Sequence, residues 1–508
     1  MEVKDIFSYN WSYLLPEFTI LGFATILSLL DLAMGKRSNR AIIGWLSLLG
    51  VIIAGVFVTL NMVNLNEPVS YMADMMRVDD FGNAFKLIFL AGVACTLVLS
   101  LAYMKYGEIS NQSEYYYLLL TALLGAMVMA SSADLITLFI GLELLSLSSF
   151  VLVGLRKKSS LANEASFKYV VSGGIATAFT LFGMSYMYGL SGTTNLYVMT
   201  ERLAEAYNGG YGFLVLLSFA FVLVGISFKI SAVPNHLWAP DVYQGAATPV
   251  TAFLAVVSKA AGFALVLRLL VNAYIGLISP EGQSVLLENL SLILSTVAAL
   301  SMIIGNTMAL RQTNVKRMMA YSGVAQAGYL LVPFATLTNL FFEQTVFYLI
   351  AYLLASFGAF AVLMVVFRDQ ETEELKAFAG LYHRSPIIAI AMTLFMLSFA
   401  GIPVSAGFFG KFYLFMSAIL QKHYWLSAIM MGTSVISYFY YFGIIRQMYM
   451  RSGNTEAALK VPTGVAVIIT IMGLATLIFG IVPGALFDFV QTNFNPNFDV
   501  GNMMTPGK

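Results

Sequence analysis

The sequence predicts an all-α polytopic membrane protein with about 14 transmembrane helices, two of them interrupted. The 508 residues are 59% hydrophobic and only 10% charged, whereas an ordinary soluble domain carries about 25% charge. Apolar stretches of about 20 residues, the length that crosses a hydrocarbon core, recur along the whole chain. Two of these stretches contain prolines and glycines, in AVPNHLWAPD at 232–241 and in SFAGIPVSAGFFGKFYLF at 398–415.

The spans follow one another with short connections. They are predicted at residues 13–34, 41–63, 81–103, 115–131, 134–155, 164–189, 211–232, 249–275, 285–310, 315–338, 344–367, 386–420, 424–449 and 462–487. The twelfth is too long for one straight helix, and its break lies five spans after the break in the seventh. Broken helices at matching places indicate an inverted repeat, with irregular backbone lining a polar cavity. We therefore predict one membrane domain, 1–508, with three helices in 1–103, five-helix repeats at 115–275 and 285–449, and a last helix at 462–490.

The basic residues predict the orientation, because Lys and Arg near span ends accumulate on the cytoplasmic side. One set of alternate connections holds most of the 27 basic residues: Lys36, Arg37, Arg40, Lys105, Arg156, Lys157, Lys158, Arg311, Lys316, Arg317, Arg368, Lys376, Arg384, Arg446, Arg451 and Lys460. The opposite side has few: Lys4, Arg77, Arg202, Lys422 and Lys508. We therefore predict a multi-pass protein with both termini on the outer side.

Composition also argues against several kinds of site. Cys95 is the single cysteine and lies in an apolar run, so a disulfide framework and a multi-cysteine metal or iron–sulfur site are not expected. The three histidines are scattered, and the chain has neither a GxGxxG nor a Walker A loop nor paired histidines at haem spacing. The prediction is a chain that binds no metal, no redox cofactor and no nucleic acid. The start, MEVKDIFSYNWSYLLPEF, lacks the features of a secretory signal, so we expect the first span to be retained.

Charged residues deep in the predicted spans are the main functional signal. Glu143, Lys229, Lys259 and Lys411 lie well inside apolar runs, where a charge costs at least about 2.5–3.5 kcal/mol. Lys168 is shallower and is interpreted either as a member of the set or as a cap at its span end. A static network of ion pairs that fixes helix register is the alternative interpretation of the four deep charges.

Other polar residues in the spans have plainer interpretations. Lys86 and Arg268 are predicted to snorkel from span ends. His236, in the seventh-span break, is either part of a polar chain or a structural histidine.

A row of buried lysines and a glutamate can carry protons. Burial lowers the pKa of a lysine and a nearby carboxylate raises it, so each site can switch its protonation state. At about 7 Å and an effective dielectric near 20, two unit charges interact by roughly 2.4 kcal/mol, enough to move a neighbour's pKa. Near Lys229, Pro234 removes a backbone donor and forces a break, so freed backbone groups, side chains and water can surround the ammonium.

Four segments carry a family resemblance: GLELLSLSSFVLVGLR, NEASFKYVVSGGIATAFTLFG, HLWAPDVYQGAATPVTAFLAVVSKAAGFAL and GIPVSAGFFGKFYLF. Together, over residues 11 to about 490, the chain resembles the N subunits of proton-pumping NADH:quinone oxidoreductase, respiratory complex I or NDH-1. The related M-type subunits carry a glutamate on the broken twelfth helix, and L-type subunits have a long lateral helix after it. Lys411 and the end at residue 508 argue against both types.

The resemblance implies roles for individual residues. Glu143 matches the fifth-helix glutamate, Lys229 its seventh-helix partner, Lys259 the central lysine, and Lys411 the lysine that delivers protons to the outer half-channel. Lys168 matches a sixth-helix lysine of less certain role. It also implies a bacterial cell membrane location, cytoplasmic proton supply, and NADH, FMN, iron–sulfur clusters and quinone in other subunits. The implied partners are K-type, M-type, A- and J-type subunits and the lateral helix of the L-type subunit, with lipid, protons and water.

Four positions depart from the commoner family pattern. Asn235 replaces a Phe, Ala247 and Val404 each replace a Pro, and Gln326 stands where many antiporter-like relatives have histidine. Gln326 argues against a titrating role for the tenth helix. We predict a proton-translocating, non-redox subunit of NADH:quinone oxidoreductase. The alternatives are a subunit of a multisubunit Na+/H+ antiporter, a non-pumping scaffold, and the similar plastid and cyanobacterial B subunit with a different electron donor.

Overall fold

Helices long and apolar enough to cross a membrane dominate the structure. The computed structural model describes residues 9–35, 38–65, 67–275, 285–336, 338, 340–453 and 457–493. Within these ranges, 12 helices meet the length and composition of a membrane span. The predictions for Lys4, Lys36, Arg37, Lys508 and the two termini fall outside the described residues. The fold class predicted from the sequence is confirmed.

The helices are numbered in chain order. They are α1 (Leu15–Ala33), α2 (Ala41–Asn64), α3 (Asp80–Tyr103), α4 (Gln112–Ser131), α5 (Leu135–Gly154), α6 (Ser160–Ser191), α7 (Leu196–Ala206), α8 (Gly212–Ile230), α9 (Trp238–Gly245), α10 (Thr248–Phe253), α11 (Lys259–Leu269), α12 (Val285–Ala309), α13 (Val315–Thr336), α14 (Phe341–Gln370), α15 (Leu381–Arg384), α16 (Pro386–Ala400), α17 (Ala406–Leu420), α18 (Tyr424–Met450), α19 (Thr463–Ile481) and α20 (Pro483–Asn493). Turns of π-helix at Tyr207–Tyr211 and Leu254–Ser258 join α7 to α8 and α10 to α11. A short antiparallel hairpin, β1 (Val69–Tyr71) and β2 (Met76–Val78), lies between α2 and α3.

The predicted tenth and twelfth spans differ from the other twelve. The tenth forms α13, a 22-residue helix that is less apolar than the others because it begins with Lys316 and Arg317 and contains Gln326. The twelfth divides into α16 and α17, each of 15 residues. Two half-length helices explain why this span is too long for one straight helix.

The two predicted breaks end their first half-helices in the same way. Ser231 after α8 and Gly401 after α16 both adopt a left-handed conformation, with φ of 60° and 78°. The next amide then bonds back to the helix, from Ala232 to the Ser227 carbonyl and from Ile402 to the Leu397 carbonyl. This closure satisfies carbonyls that the end of a helix would otherwise leave free.

Further matching contacts occur in the two predicted five-helix repeats. The connection before α5 pairs with the one before α7 through the Leu135 amide and the Thr194 carbonyl. The connection before α13 pairs in the same way with the segment after α14, through the Val315 amide and the Glu373 carbonyl. These equivalences are those expected of a structural repeat, while the predicted repeat boundaries stay a prediction. The segments Thr248–Tyr274 and Phe341–Gln370, one from each predicted repeat, are almost entirely buried within the bundle.

The prediction that Lys86 and Arg268 snorkel is wrong. Lys86 is fully buried, and its Nζ lies 2.6 Å from Oε1 of Glu17 on α1. Arg268 is 2% exposed; its Nη1 lies 2.6 Å from Oδ2 of Asp79, and its Nε donates to the Ala130 carbonyl. Each cation has an acidic partner from another part of the bundle, so neither has to reach the membrane interface.

Candidate functional site

Lys229 lines a narrow cavity between α5, α6 and α8, and Glu143 is hydrogen-bonded to Thr177 in the cavity wall. Oε1 of Glu143 accepts a hydrogen bond of 2.8 Å from the Thr177 hydroxyl on α6. Lys229 is 2% exposed, and its Nζ donates to the Ser146 hydroxyl at 3.0 Å. The cavity is lined by Thr177, Ser146 and Lys229 among others and has room for about one water molecule. One water there would connect the glutamate's hydrogen-bond partner to the lysine.

Near Lys229, backbone groups at the break after α8 form hydrogen bonds with side chains. Nε1 of Trp238 donates to the Phe228 carbonyl at 3.0 Å, and Nδ2 of Asn235 donates to the Val224 carbonyl at 3.3 Å. The Val233 amide donates to the Ser301 hydroxyl of α12. Side chains therefore add hydrogen bonds to backbone groups at and near the break. Asn235, a departure from the family pattern, makes one of these contacts, and a phenylalanine has no donor with which to make it.

Lys259 lies just after the π-helical turn Leu254–Ser258, in the middle of the bundle. It is 3% exposed, and its Nζ donates to the Gly323 carbonyl of α13 at 2.6 Å. A Cβ on residue 323 would lie 2.5 Å from this Nζ and 3.4 Å from the Tyr352 hydroxyl. Glycine at 323 therefore makes room for the ammonium, and π-helical turns are frequent at functional sites.

Lys411 occupies the break between α16 and α17. Its Nζ donates to the carbonyls of Phe399 at 2.8 Å and Ala400 at 3.3 Å, the last residues of α16. It also lies 4.7 Å from the centre of the Tyr329 ring. The C-terminal end of a helix carries a partial negative charge, so α16 itself favours the cation. Lys411 is 7% exposed, close to the wall of the bundle.

Gln326 connects the surroundings of Lys259 and Lys411, a connection that the sequence interpretation missed. Its Nε2 donates to the Phe399 carbonyl at 3.4 Å, the same carbonyl that binds Lys411, and its Oε1 accepts from the Tyr348 hydroxyl. It lies on α13 one turn beyond Gly323, which binds Lys259. The change from histidine to glutamine removes a titrating group but keeps a polar contact between the two lysines.

Lys168 and His236 lie apart from this row. Lys168 is 44% exposed at the side chain and pairs with Glu164 at 2.7 Å and Asp241 at 2.6 Å. His236 is 6% exposed, and the hydrogen bond found for its ring joins Nδ1 to the Pro234 carbonyl at 3.2 Å. These contacts fit a span-end cap and a structural histidine, while the roles of both residues stay predictions.

The described residues offer no evident metal centre. Within those ranges, no group of three or more His, Cys, Asp or Glu residues is placed to hold a metal ion. Cys95 is buried among apolar side chains, as the sequence predicts for a small hydrophobe. The chemistry that these residues can perform is proton transfer between lysines, a carboxylate, hydroxyls and water.

Comparisons with known proteins identify the family of this chain. The family model described as NADH:quinone oxidoreductase/Mrp antiporter, TM, matches residues 132–437. The chain is 68% identical to NADH-quinone oxidoreductase subunit N of Brevibacillus brevis, over 100% of this chain and 99% of the relative. It is 47% identical to the protein of that name from a Geobacillus strain, over 97% of this chain and 100% of the relative.

Two solved structures are also similar to this chain. A chain of respiratory complex I from Thermus thermophilus with bound aureothin superposes with a TM-score of 0.77 at 31% identity, covering 93% of this chain and 98% of that one. A chain of the Mrp complex from Dietzia has a TM-score of 0.81 at 16% identity, covering 97% of this chain and 100% of that one, and shares the fold. The chain therefore belongs to the NADH-quinone oxidoreductase subunit N family, within the wider NADH:quinone oxidoreductase/Mrp antiporter membrane family.

Proposed function

We propose that this chain translocates protons as a membrane subunit of an NADH:quinone oxidoreductase, without itself performing redox chemistry. Glu143 tunes Lys229, Lys259 relays the proton, and Lys411 exchanges it with the outer side. Family membership supports proton translocation, and the row of buried charged side chains supports the roles given to these residues. NADH, FMN, iron–sulfur clusters and quinone are assigned to other subunits, because the described part of this chain offers no evident centre for them.

The proposal rests on the hydrogen-bond partners of the three buried lysines. Lys229, Lys259 and Lys411 donate to a hydroxyl or to backbone carbonyls, and within the described residues none has a carboxylate within ion-pair distance. A scaffold that uses buried charges to fix register is expected to pair them, as Lys86 and Arg268 are paired. Lysines without a fixed counter-ion can gain and lose protons, so the geometry favours transport over the scaffold alternative.

The setting of the subunit is also part of the proposal. We assign it to a bacterial cell membrane with both termini on the outer side, because basic residues concentrate in alternate connections. Its neighbours in the assembly are proposed to be K-type, M-type, A- and J-type subunits and the lateral helix of the L-type subunit. The Dietzia Mrp chain shares only its fold with this chain. Na+/H+ exchange is therefore an alternative activity that the test below can detect.

The test compares assembled complexes in inverted membrane vesicles. Lys411→Ala should abolish or at least halve proton uptake during NADH-driven quinone reduction, while native gels still show the complete complex. Lys422→Ala, a change of an exposed lysine near the end of α17, is the matched control. A normal ratio of protons to electrons in Lys411→Ala would refute the assignment. Sodium-dependent proton exchange without any electron donor would favour the antiporter alternative.

A further inference from the structure

A charged cavity of about 360 Å³ opens where α3 and α5 end and where α10 and α13 begin. Its walls include Glu108, Arg156, Thr248, Lys316 and Glu373. Several lining side chains are exposed, so the cavity opens to the surface on the side predicted to be cytoplasmic. It is distinct from the narrow cavity that Lys229 and Thr177 line.

Three helices lead from this cavity to Lys259. Thr248, at the cavity, lies about three turns before Lys259 along the α10–α11 segment, and Lys316 lies about two turns before Gly323 on α13. Lys316 and Gly323 fall on the same face of α13 at this spacing. On α14, Met364 lines the cavity and Tyr352 lies about three turns deeper, next to the Lys259 contact. All three segments therefore run from the cavity to the surroundings of the Lys259 ammonium.

Buried hydroxyl groups lie between the two ends. The Ser356 hydroxyl on α14 is fully buried and interacts with the Tyr352 hydroxyl one turn away. The Tyr243 hydroxyl on α9 is buried and has no hydrogen-bond partner among the described residues, and its ring contacts Phe360 on α14. Buried polar groups are nearly always hydrogen-bonded to protein or water. Ordered water is thus expected between the cavity and Lys259.

Lys316 stands at the inner wall of the cavity. Although the sequence places it in a basic connection, it is 1% exposed. Its Nζ lies 2.7 Å from Oε1 of Glu373 and donates to the Ala246 carbonyl at 3.1 Å. Glu373 is partly exposed, and its side-chain relative exposure of 28% gives it contact with the cavity mouth. A buried ammonium is therefore joined to a carboxylate that water can reach.

We propose that this cavity is a proton inlet to Lys259 and that Lys316 is its loading residue. The inference rests on the proposed function, which it deepens. The Lys316 ammonium gives one proton through water, Ser356 and Tyr352 to neutral Lys259. Glu373 takes up a proton from water in the cavity and passes it to the resulting Lys316 amine, which restores the Glu373 carboxylate. Glu108, Arg156, Arg368, Glu371 and Glu373 are the charged groups that face this step.

The decisive variant is Lys316→Arg, because a guanidinium can keep both contacts of Lys316 but holds its proton throughout. In vesicles containing the complete complex, proton uptake per quinone reduced should fall at least about two-fold. The matched control is Lys376→Arg, on the connection that carries Glu373, where the lysine is 72% exposed at the side chain and pairs with Glu374. This control should pump normally.

Two further variants keep the inference testable if Lys316→Arg does not assemble. Ser356→Ala and Tyr352→Phe each remove one oxygen and should slow proton uptake about five-fold, the effect of one lost hydrogen bond. Normal uptake in assembled Lys316→Arg overturns the role of Lys316, and normal uptake in both hydroxyl variants overturns the route. If Lys411→Ala still loses pumping in the same vesicles, the proposed function stands without the inlet. If no variant loses pumping, the function itself fails.

Discussion

Gly323→Ala tests whether the contact between Lys259 and a backbone carbonyl is part of the transport path. The added Cβ would lie 2.5 Å from Nζ of Lys259, and the ammonium must retreat until this contact reaches at least the ordinary 3.4 Å. The displacement lengthens the 2.6 Å hydrogen bond to the Gly323 carbonyl. A hydrogen bond to a charged group contributes about 1.5–3 kcal/mol, so the protonated state of Lys259 loses about 10- to 160-fold in population.

The variant leaves every charge and the helix in place. Alanine favours a helix over glycine by up to about 1 kcal/mol, and the displaced atom is the far end of a flexible side chain. We therefore expect the complex to assemble. The assay follows NADH-driven quinone reduction and proton uptake together in inverted vesicles, and the ratio of uptake to reduction should fall.

Two other glycines provide controls. Gly432→Ala adds a methyl group with nothing within 4 Å and should change neither assembly nor pumping. Gly305→Ala places a Cβ 2.5 Å from the Ala325 amide, so it should weaken the packing of α12 on α13 and reduce assembly. An assembled Gly323→Ala complex with an unchanged ratio would refute the reasoning.

Three other changes separate transport from structure. Thr177→Val removes the donor to Glu143 and should lower proton uptake with assembly intact, measured in the same vesicles; unchanged uptake would exclude this contact from the path. Lys86→Met leaves the Glu17 carboxylate buried and unpaired, which should cost about 3–5 kcal/mol and reduce the amount of complex on native gels. Adding Glu17→Gln should restore much of that amount, and failure to do so would show that Lys86 has a role beyond the pair. Lys411→Arg keeps a positive charge at the C-terminal end of α16, but arginine does not exchange its proton. The variant complex should therefore assemble and pump poorly. Normal pumping would indicate that Lys411 has a purely structural role.

The depth of the three lysines in the row could be predicted from the sequence, but their partners could not. Lys229, Lys259 and Lys411 stand out because a lysine inside a long apolar run is unusual at any orientation of the helix. The prediction failed for Lys86 and Arg268 because their partners, Glu17 and Asp79, belong to other parts of the chain. Whether a cation pairs or snorkels depends on which helices pack together, and one-dimensional hydropathy does not contain that information.

The polar surroundings of the row were harder to predict than the row itself. Gln326, Ser356 and Tyr352 change the hydropathy of a window far less than a lysine does, so they give little signal. The burial of Lys316 was missed for a related reason. In the sequence, a basic residue at a span end resembles one in an exposed connection. The two breaks were predictable, since prolines and glycines within long apolar runs mark them directly.

The carbonyl partners of Lys259 and Lys411 determine how strongly one site can influence the next. When a lysine is paired with a carboxylate, a proton that passes between the two leaves the local net charge unchanged. A backbone carbonyl does not take up the proton, so each loss or gain at these lysines changes the local field by a full elementary charge. At about 10 Å and an effective dielectric near 20, that change amounts to roughly 1.7 kcal/mol. Because Gly323 and the end of α16 provide carbonyl partners, each protonation or deprotonation of Lys259 or Lys411 changes the electrostatic potential at the neighbouring sites of the row.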